Sequence, residues 1–208
     1  ASYTAFVGGI FQDSKTNMLS HGNEYTLVEA DEFDRSFLHL NPTIACITSI
    51  DADHLDVYND ASSLRDTYRE FASQVKETLF VEKNIPIAGL TYSVSEKADY
   101  YIDNIRPLST GVQFDLNTPE GVYENQFFNQ LGVHNLSNAL VAVAMASKAG
   151  IPVADLVKSL TNFPGVERRL QVLIDRKDRV LIDDYAHHPT EIKAVYETLN
   201  TSFPEDHK

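Results

Sequence analysis

Cysteine is nearly absent from this sequence, with Cys46 alone among 208 residues. One thiol excludes a disulfide within the chain and any zinc site that needs several cysteine ligands. Cys46 lies in the apolar stretch TIACITSI, where we expect it to pack as a small buried residue. No signal peptide is recognisable at the start, ASYTAFVGGIFQ, so we expect a cytoplasmic protein.

Long apolar runs and basic charge are lacking as well. No apolar run is long enough to predict a membrane span. The 17 basic residues stand against 30 acidic ones, which gives a formal net charge of −13. Such a charge repels nucleic acid, so we expect no nucleic-acid partner. A small phosphorylated ligand is compatible with it, provided that local arginines and a divalent cation neutralise the phosphates.

Three common catalytic motifs are also missing. The sequence has no G-x-x-x-x-G-K-[ST] phosphate loop, no G-x-S-x-G nucleophile elbow and no H-E-x-x-H zinc helix. The pair Gly8-Gly9 has no lysine at the distance that a phosphate loop requires. Any function of these 208 residues therefore uses other side chains, and the sequence leaves the oligomeric state open.

The residues that are present predict an α/β fold, a mostly parallel sheet with flanking helices. Residues 24–30 and 43–50 are continuous apolar stretches, typical of strands covered on both faces. Residues 61–80 carry apolar side chains at helical spacing, and residues 85–90 predict the next strand. Alternation over residues 98–128 predicts an inserted antiparallel β meander.

Two helices are predicted after the meander. Residues 135–150 are rich in alanine and end at Gly150, a frequent helix stop. Residues 152–163 follow, with Pro152 at a favoured first helical position. These two helices complete the part of the chain that precedes a predicted break.

A domain boundary is predicted at Pro164-Gly165, so we divide the chain into residues 1–164 and residues 165–208. The second part reads as two strands, joined by a charged turn at residues 176–178, and one helix. It holds too little core for an independent domain. We therefore expect both ends of the sequence to be cuts in a longer protein.

Two acidic clusters follow the first two predicted strands, EADEFD at residues 29–34 and DADHLD at residues 51–56. The carboxyl ends of parallel strands share one sheet edge, where two such clusters repel each other unless a cation lies between them. This favours a divalent-cation site that includes Glu29 and His54. Carboxylates suit magnesium, whereas a histidine ligand also suits manganese or zinc. Solvated loop charges or helix caps are the alternative.

Two further stretches carry candidate ligand contacts. In GVHNLSNALVA, Asn135 and Asn138 share one helix face beside His134, and their amides match the donor and acceptor pattern of an adenine edge. A helix cap plus a surface asparagine is the alternative. In PGVERRLQ, the forked side chains of Arg168 and Arg169 suit phosphate or carboxylate, although they could be exposed edge-strand charges.

The stretch LIDDYAHHPTEI at residues 181–192 concentrates titratable groups between a predicted strand and a predicted helix. An aspartate at such a strand end can accept from ribose hydroxyls. His187 and His188 are adjacent, so on extended backbone they point to opposite sides. A cap of the following helix is one alternative. Another is a metal-dependent hydrolase whose metal is held by Asp183, Asp184 and the two histidines.

Taken together and in order, five stretches resemble the signatures of the Mur ligases of peptidoglycan synthesis: VEADEFDRSFLHLNP, TSIDADHLDVY, GVHNLSNALVAVAMA, PGVERRLQ and DDYAHHPTEI. The resemblance implies most of a P-loop NTPase-like central ATP-binding domain, followed by the start of a Rossmann-like C-terminal domain. The phosphate loop of the family is expected upstream of Ala1. The 208 residues alone are therefore expected to be inactive.

The resemblance also implies roles for particular residues. Glu29 and His54 resemble the family's Mg²⁺ ligands. His134, Asn135 and Asn138 resemble its adenine contacts, and Arg168 and Asp184 its other nucleotide contacts. Tyr185 and His187 resemble residues that line the place where the amino acid arrives. A direct part in catalysis is implied for His54, Arg168 and His187.

Among Mur ligases, the motifs are most similar to those of the member that joins L-alanine to the lactyl carboxylate of UDP-N-acetylmuramate. That resemblance implies ATP and Mg²⁺ as cofactors, an acyl phosphate intermediate, and a hinge at Pro164-Gly165 that closes the site. One alternative is the family member that reattaches recycled murein tripeptide. The other two are the hydrolase and a nucleotide-binding module without catalysis.

Overall fold

A small three-stranded sheet opens the computed structural model, which describes residues 2–50, 61–176 and 178–203. Its strands are β1 (Tyr3–Phe6), β2 (Met18–Ser20) and β3 (Tyr25–Val28), in the order β2-β1-β3. β1 is antiparallel to β2 and parallel to β3. The predicted strand at residues 24–30 is confirmed by β3. Its expected coverage on both faces is wrong, since Leu27 is 51% and Val28 48% exposed.

A six-stranded mixed sheet forms the centre of the molecule. Its strands, in spatial and chain order, are β4 (Ile44–Ile47), β5 (Thr78–Glu82), β6 (Leu90–Ser93), β7 (Tyr100–Leu108), β8 (Gly111–Thr118) and β9 (Gly121–Phe128). β4 to β7 run parallel, and β7 to β9 form the predicted antiparallel meander. The α/β fold with a mostly parallel sheet and an added meander is therefore confirmed.

Two predicted boundaries between β4 and β7 are wrong. The helix α1 (Ala61–Gln74) ends before residue 80, because Leu79 belongs to β5. The strand predicted at residues 85–90 starts only at Leu90, and the preceding residues form turns. Gly89 permits the close approach there, since a Cβ on it would lie 2.7 Å from the Leu79 carbonyl oxygen.

The helices α2 (Val133–Lys148) and α3 (Val153–Leu160) cover one face of the central sheet. Leu136, Leu140 and Ala144 of α2 are almost fully buried in the core that includes Phe80 and Tyr92. Each large apolar side chain buried in this way contributes roughly 1.5–3 kcal/mol. Both helices were predicted, although Pro152 is the N-cap of α3 and not its first helical residue.

The opposite face of the sheet packs against α1 and a 3₁₀ segment, Phe33–His39. Phe37 of that segment stacks on Phe71 of α1, with ring centroids 4.9 Å apart. Side chains alternate along the strands, so that Phe80 lies in the α2 core and Val81 in this second core. The sheet is therefore the middle of three layers.

The C-terminal part consists of β10 (Gln171–Arg176), β11 (Arg179–Asp183) and α4 (Pro189–Ser202), as predicted. β10 and β11 form an antiparallel pair. The segment just before them is bridged to the start of the chain, where Phe11 pairs with Val166. No helix in the described part of the chain is long and apolar enough to cross a membrane.

Candidate functional site

The first turn of α2 lies beside the segment 168–191, and together they form the candidate site. The side chains of His134 and Leu170 both border Gly132, since a Cβ on Gly132 would lie 2.8 Å from His134 Cε1 and from Leu170 Cδ1. Burial lowers the pKa of His134, and the nearby Asp184 carboxylate opposes that shift. The fold therefore brings together His134 and Asp184, which are 50 positions apart in the sequence.

Asp184 holds the loop that follows β11. Its Oδ2 accepts the Leu170 amide at 2.8 Å, and its Oδ1 accepts the Ala186 amide at 2.7 Å. Leu170 has a φ of 45° and is 3% exposed, so the carboxylate satisfies a buried amide at a strained position. Each carboxylate oxygen keeps a second lone pair, which a ribose hydroxyl could use.

Arg168 and Tyr185 form one surface next to this loop. The guanidinium carbon of Arg168 lies 4.6 Å from the centroid of the Tyr185 ring, a cation–π distance. Arg168 Nε lies 3.7 Å from Asp183 Oδ2, and the Arg168 carbonyl accepts the Tyr185 amide at 2.8 Å. A predicted nucleotide contact and a predicted amino-acid contact are therefore side by side.

His187 adjoins the same surface through its contact with Tyr185. Its ring meets the Tyr185 ring edge-on, with centroids 5.0 Å apart. Its Nδ1 lies 3.0 Å from the Tyr185 carbonyl oxygen. Both rings are exposed. The three predicted residues Arg168, Tyr185 and His187 thus form a continuous exposed stack.

Glu191, which was not predicted as a site residue, organises the start of α4. Its Oε2 accepts the amide of His187 at 3.0 Å and that of His188 at 3.2 Å. The hydrogen bond from the His187 amide is the largest of the contacts that lower the pKa of Glu191. Its sequence signal is a capping box, in which a glutamate stands three residues after the N-cap, here His188.

The two asparagines of α2 lie one turn apart, as predicted, but differ in their bonding. Asn135 Nδ2 donates to the Leu131 carbonyl at 2.9 Å, which fixes its amide group. Asn138 is exposed on the same helix. The predicted adenine contacts His134, Asn135 and Asn138 are therefore gathered at the N-terminus of α2.

Glu29, the predicted metal ligand after β3, lies against Gly8. Its Oε2 accepts the Gly8 amide at 2.6 Å, and a Cβ on Gly8 would lie 3.1 Å from Glu29 Oε1. The side chain is exposed, and an exposed carboxylate oxygen fits the hard-ligand preference of Mg²⁺. His54, its predicted partner, lies outside the described residues.

The two acidic clusters do not follow neighbouring strands of one sheet in the part of the chain that the structure describes. β3 is hydrogen-bonded to β1, whereas β4 is the edge strand of the six-stranded sheet. The expectation that these two strand ends are adjacent in a single sheet is therefore wrong. β1, which was not predicted, occupies the position beside β3.

The hydrolase alternative requires one metal to be shared by four side chains, those of Asp183, Asp184, His187 and His188. The structure uses them differently: Asp184 accepts two amides, His187 Nδ1 faces a carbonyl, and His188 Nδ1 accepts the amide of Thr190 at 3.4 Å. Over residues 2–50, 61–176 and 178–203, no three His, Cys, Asp or Glu side chains are grouped so as to hold a metal. The proposed hydrolase site is therefore contradicted.

The chain has a three-layer α/β fold with polar side chains gathered at the start of α2. Solved structures share this fold. The UDP-N-acetylmuramate–alanine ligase of Thermotoga maritima superimposes with a TM-score of 0.83 at 25% identity, covering 99% of this chain and 49% of that protein. The chain belongs to the Mur ligase family, whose middle domain matches residues 11–146.

Curated relatives agree with this assignment. The chain is 47% identical over 206 residues to the UDP-N-acetylmuramate–L-alanine ligase of Christiangramia forsetii, a match that covers 98% of this chain and 46% of that protein. It is 44% identical over 208 residues to the ligase of the same name from Flavobacterium psychrophilum, covering 99% of this chain and 46% of that protein. The chain therefore spans about half the length of these relatives.

Proposed function

We propose that this chain supplies the ATP-binding and alanine-facing part of a ligase that joins L-alanine to the lactyl carboxylate of UDP-N-acetylmuramate. The observation that carries the proposal is its similarity, along nearly the whole chain, to ligases with that name. The candidate site supports it, because the predicted nucleotide and amino-acid contacts adjoin one another. Peptidoglycan synthesis is the process in which such a ligase acts.

The nucleotide is assigned to the α2 side of the site. In this proposal the Asn138 side chain and the side-chain oxygen Oδ1 of Asn135 face the adenine edge. His134 lies beside them. Asp184 accepts from the ribose through its remaining lone pairs. Arg168 contributes a local positive charge for the phosphates, which a chain of net charge −13 otherwise repels.

Glu29 and His54 are assigned to Mg²⁺. The carboxylate of Glu29 fits such an ion by its oxygen chemistry, whereas His54 rests on the sequence motif alone. The ion supplies neutralisation of phosphate charge when it is bound. The protein residues supply binding and orientation, and the exclusion of water by closure protects an acyl phosphate from hydrolysis.

The amino acid is assigned to the stack of Tyr185 and His187. In the proposed reaction the lactyl carboxylate takes the terminal phosphoryl group of ATP. The amine of L-alanine then attacks the carbonyl carbon of this acyl phosphate, the C–N bond forms and inorganic phosphate leaves. An exposed polar and aromatic surface next to the phosphate-facing Arg168 is suited to hold the amine beside that carbon.

A chimeric enzyme tests the proposal. This chain replaces the matching segment of the Christiangramia forsetii ligase, and ADP release is measured with UDP-N-acetylmuramate and L-alanine. We expect release that requires both substrates, with the parent ligase as the control. A chimera that folds, as judged by a cooperative thermal transition, but releases no ADP above background contradicts the proposal.

The same assay separates the alternatives. Murein tripeptide in place of L-alanine should support little release, whereas preferential use of the tripeptide would favour the recycling ligase. Nucleotide binding without substrate-dependent release would favour a binding module without catalysis. Asn138→Ala within the chimera should raise the KM for ATP by about tenfold, since an amide contact to a base edge is worth roughly 1–3 kcal/mol.

A further inference from the structure

The Nδ1 atom of His187 faces two groups that only accept hydrogen bonds. The Tyr185 carbonyl oxygen lies 3.0 Å from it and Glu191 Oε2 lies 3.5 Å from it. A carbonyl and an ionised carboxylate have no proton to donate. Nδ1 must therefore carry the hydrogen, which leaves the lone pair of the neutral ring on Nε2.

His188, the next residue, is in the other neutral tautomer. Its Nδ1 accepts the amide N–H of Thr190 at 3.4 Å, as the N-cap of α4. An atom that accepts a backbone N–H carries no hydrogen, so the neutral His188 ring is protonated on Nε2. The start of α4 thus holds two adjacent histidines in different tautomers.

Glu191 is the common partner that produces this arrangement. Its Oε2 accepts the His187 and His188 amides at 3.0 and 3.2 Å, which orients the backbone of both residues. The charged or titratable groups around it are His187 on the same segment, Arg169 before β10 and His134 on α2. Because the capping box fixes the carboxylate, the negative charge of Glu191 is held 3.5 Å from His187 Nδ1.

We propose that Glu191 is a positioning residue that keeps His187 in its Nδ1–H tautomer and so presents the Nε2 lone pair to the amine of the incoming amino acid. This proposal rests on the proposed ligase function. The ammonium form of the amino acid gives one proton to Nε2, which yields a free amine and an imidazolium. The imidazolium keeps its Nδ1–H on the Tyr185 carbonyl oxygen, and the negative charge of Glu191, 3.5 Å from Nδ1, stabilises it.

The remaining step, amide formation, balances in bonds and protons. The free amine attacks the acyl phosphate carbon, the C–N bond forms, and the C–O bond to phosphate breaks. The second proton of the attacking nitrogen leaves with the phosphate, and His187 returns its proton to solvent. No oxidant, reductant or further reactant is needed.

Nitrogen chemical shifts test the tautomer directly in this chain. Long-range proton–nitrogen correlation of ¹⁵N-labelled protein is recorded at about pH 8, where an ordinary histidine is neutral. We expect the Nδ1–H pattern for His187 and the Nε2–H pattern for His188, which serves as an internal reference. A predominantly Nε2–H pattern for His187 overturns the proposal, whatever the outcome of the ligase assay.

Glu191→Gln tests the role of the carboxylate, because glutamine keeps an oxygen for the cap and loses the charge. We expect the ratio of Nδ1–H to Nε2–H tautomer at His187 to fall by roughly two- to fivefold, the size expected for a partly exposed charge pair. Glu197→Gln is the matched control: it makes the same change on α4, where Glu197 pairs with Lys193 at 3.8 Å. An equal fall in both variants contradicts a specific role for Glu191.

Kinetics of the chimeric ligase test the consequence for the reaction. Glu191→Gln should lower kcat roughly three- to tenfold with less than about a twofold change in the KM for L-alanine, and His187→Gln should lower kcat about 100-fold. Unchanged kcat in Glu191→Gln overturns the positioning role. An inactive chimera with the unaltered chain counts against the proposed function instead, and the tautomer is still decided by the spectra.

Discussion

At the scale of single residues, the adjacent carboxylates of Asp184 and Asp183 should contribute differently to the free energy of unfolding. Asp184 satisfies two amides, one of them at buried Leu170, whereas Asp183 faces exposed Arg168 at 3.7 Å. Asp184→Ala should lower the free energy of unfolding by about 2 kcal/mol, because it leaves a buried amide unpaired. Asp183→Ala should cost less than about 1 kcal/mol, as for surface ion pairs. Urea denaturation of both variants measures the difference, and equal losses would contradict this account.

The buried His134 predicts a pH dependence of stability. Burial lowers its pKa in the folded state below the ordinary value of 6.5, so the unfolded chain takes up this proton first as the pH falls. Stability from this residue is therefore complete above about pH 6.5 and decreases below it. His134→Gln should flatten the stability curve in that range, and an unchanged curve would contradict this account. Thermal unfolding at a series of pH values provides the measurement.

Single residues also show where prediction from sequence succeeds and where it stops. His134, Arg168 and Asp184 were predicted from the motifs GVHNLSNALVA, PGVERRLQ and DDYAHHPTEI, and the fold brings His134 and Asp184 near each other. Glu191 was missed, although the capping-box spacing was present, because the pattern alone does not say which donors the glutamate accepts. The contact of Glu29 with Gly8 could not be predicted, since it depends on the pairing of β1 with β3.

At the scale of elements, one aspartate links the two positions where the strand register of the meander shifts. Asp115 of β8 accepts Asn104 Nδ2 at 2.6 Å and the Asn125 amide at 2.6 Å. Asn104 and Asn125 have φ of 52° and 54°, in β7 and β9, beside the two register shifts of the sheet. Both neighbouring strands therefore bend around the same carboxylate.

Asp115→Ala should lower the free energy of unfolding by about 1 kcal/mol, because two hydrogen bonds to an accessible carboxylate are lost. The control Asp103→Ala removes a weaker contact, a 3.4 Å hydrogen bond from Asn117. The hydrogen bond from Asn104 is the largest cause that lowers the pKa of Asp115, so its contribution is present above about pH 3.8 and is lost as the pH falls further. Denaturation at neutral and acidic pH tests both statements, and identical losses for the two variants would reject them.

Elements with strong local patterns were predicted correctly, and those that depend on distant partners were not. Alternation identified the three strands of the meander, and the alanine-rich stretch identified α2. The helix α1 was predicted too long because Val75 and Leu79 continue its apolar spacing by chance, although Leu79 lies in β5. β1 is short and has no periodicity of its own. Its position is set by pairing with β2 and β3.

At the scale of the whole molecule, the start of the chain is hydrogen-bonded to the segment that follows Pro164. We call these hydrogen bonds the clasp. The Gln12 amide donates to the Gly165 carbonyl at 3.1 Å, and Gln12 Nε2 donates to the Val166 carbonyl at 2.9 Å. The Glu167 amide donates to the Ile10 carbonyl at 2.8 Å. Residues 165–167 are therefore bound to the N-terminal loop. A hinge at Pro164-Gly165, as the sequence suggested, would have to break these bonds.

The next residues are hydrogen-bonded to the loop after β11 instead. The Leu170 amide donates to Asp184 and the Arg168 carbonyl accepts from Tyr185, which joins them to the loop after β11. Arg168 and Leu170 both have positive φ. The two sets of hydrogen bonds meet at the peptide bond between Glu167 and Arg168. We therefore predict that any rotation of the C-terminal part occurs at this peptide bond, because rotation there leaves the hydrogen bonds of the clasp intact.

Amide hydrogen exchange distinguishes this pivot from one at Pro164-Gly165. In Gln12→Ala, the loss of the side-chain bond to Val166 should accelerate exchange at the backbone amides of residues 12 and 167 by about fivefold, the effect of one hydrogen bond of roughly 1 kcal/mol. The Leu170 and Tyr185 amides should keep their rates, since their acceptors lie beyond the pivot. Lys15→Ala, which removes an exposed ion pair to Glu167, should change neither group appreciably. If all four amides accelerate together, the clasp and the C-terminal loop unfold as one unit, and a pivot between residues 167 and 168 is wrong.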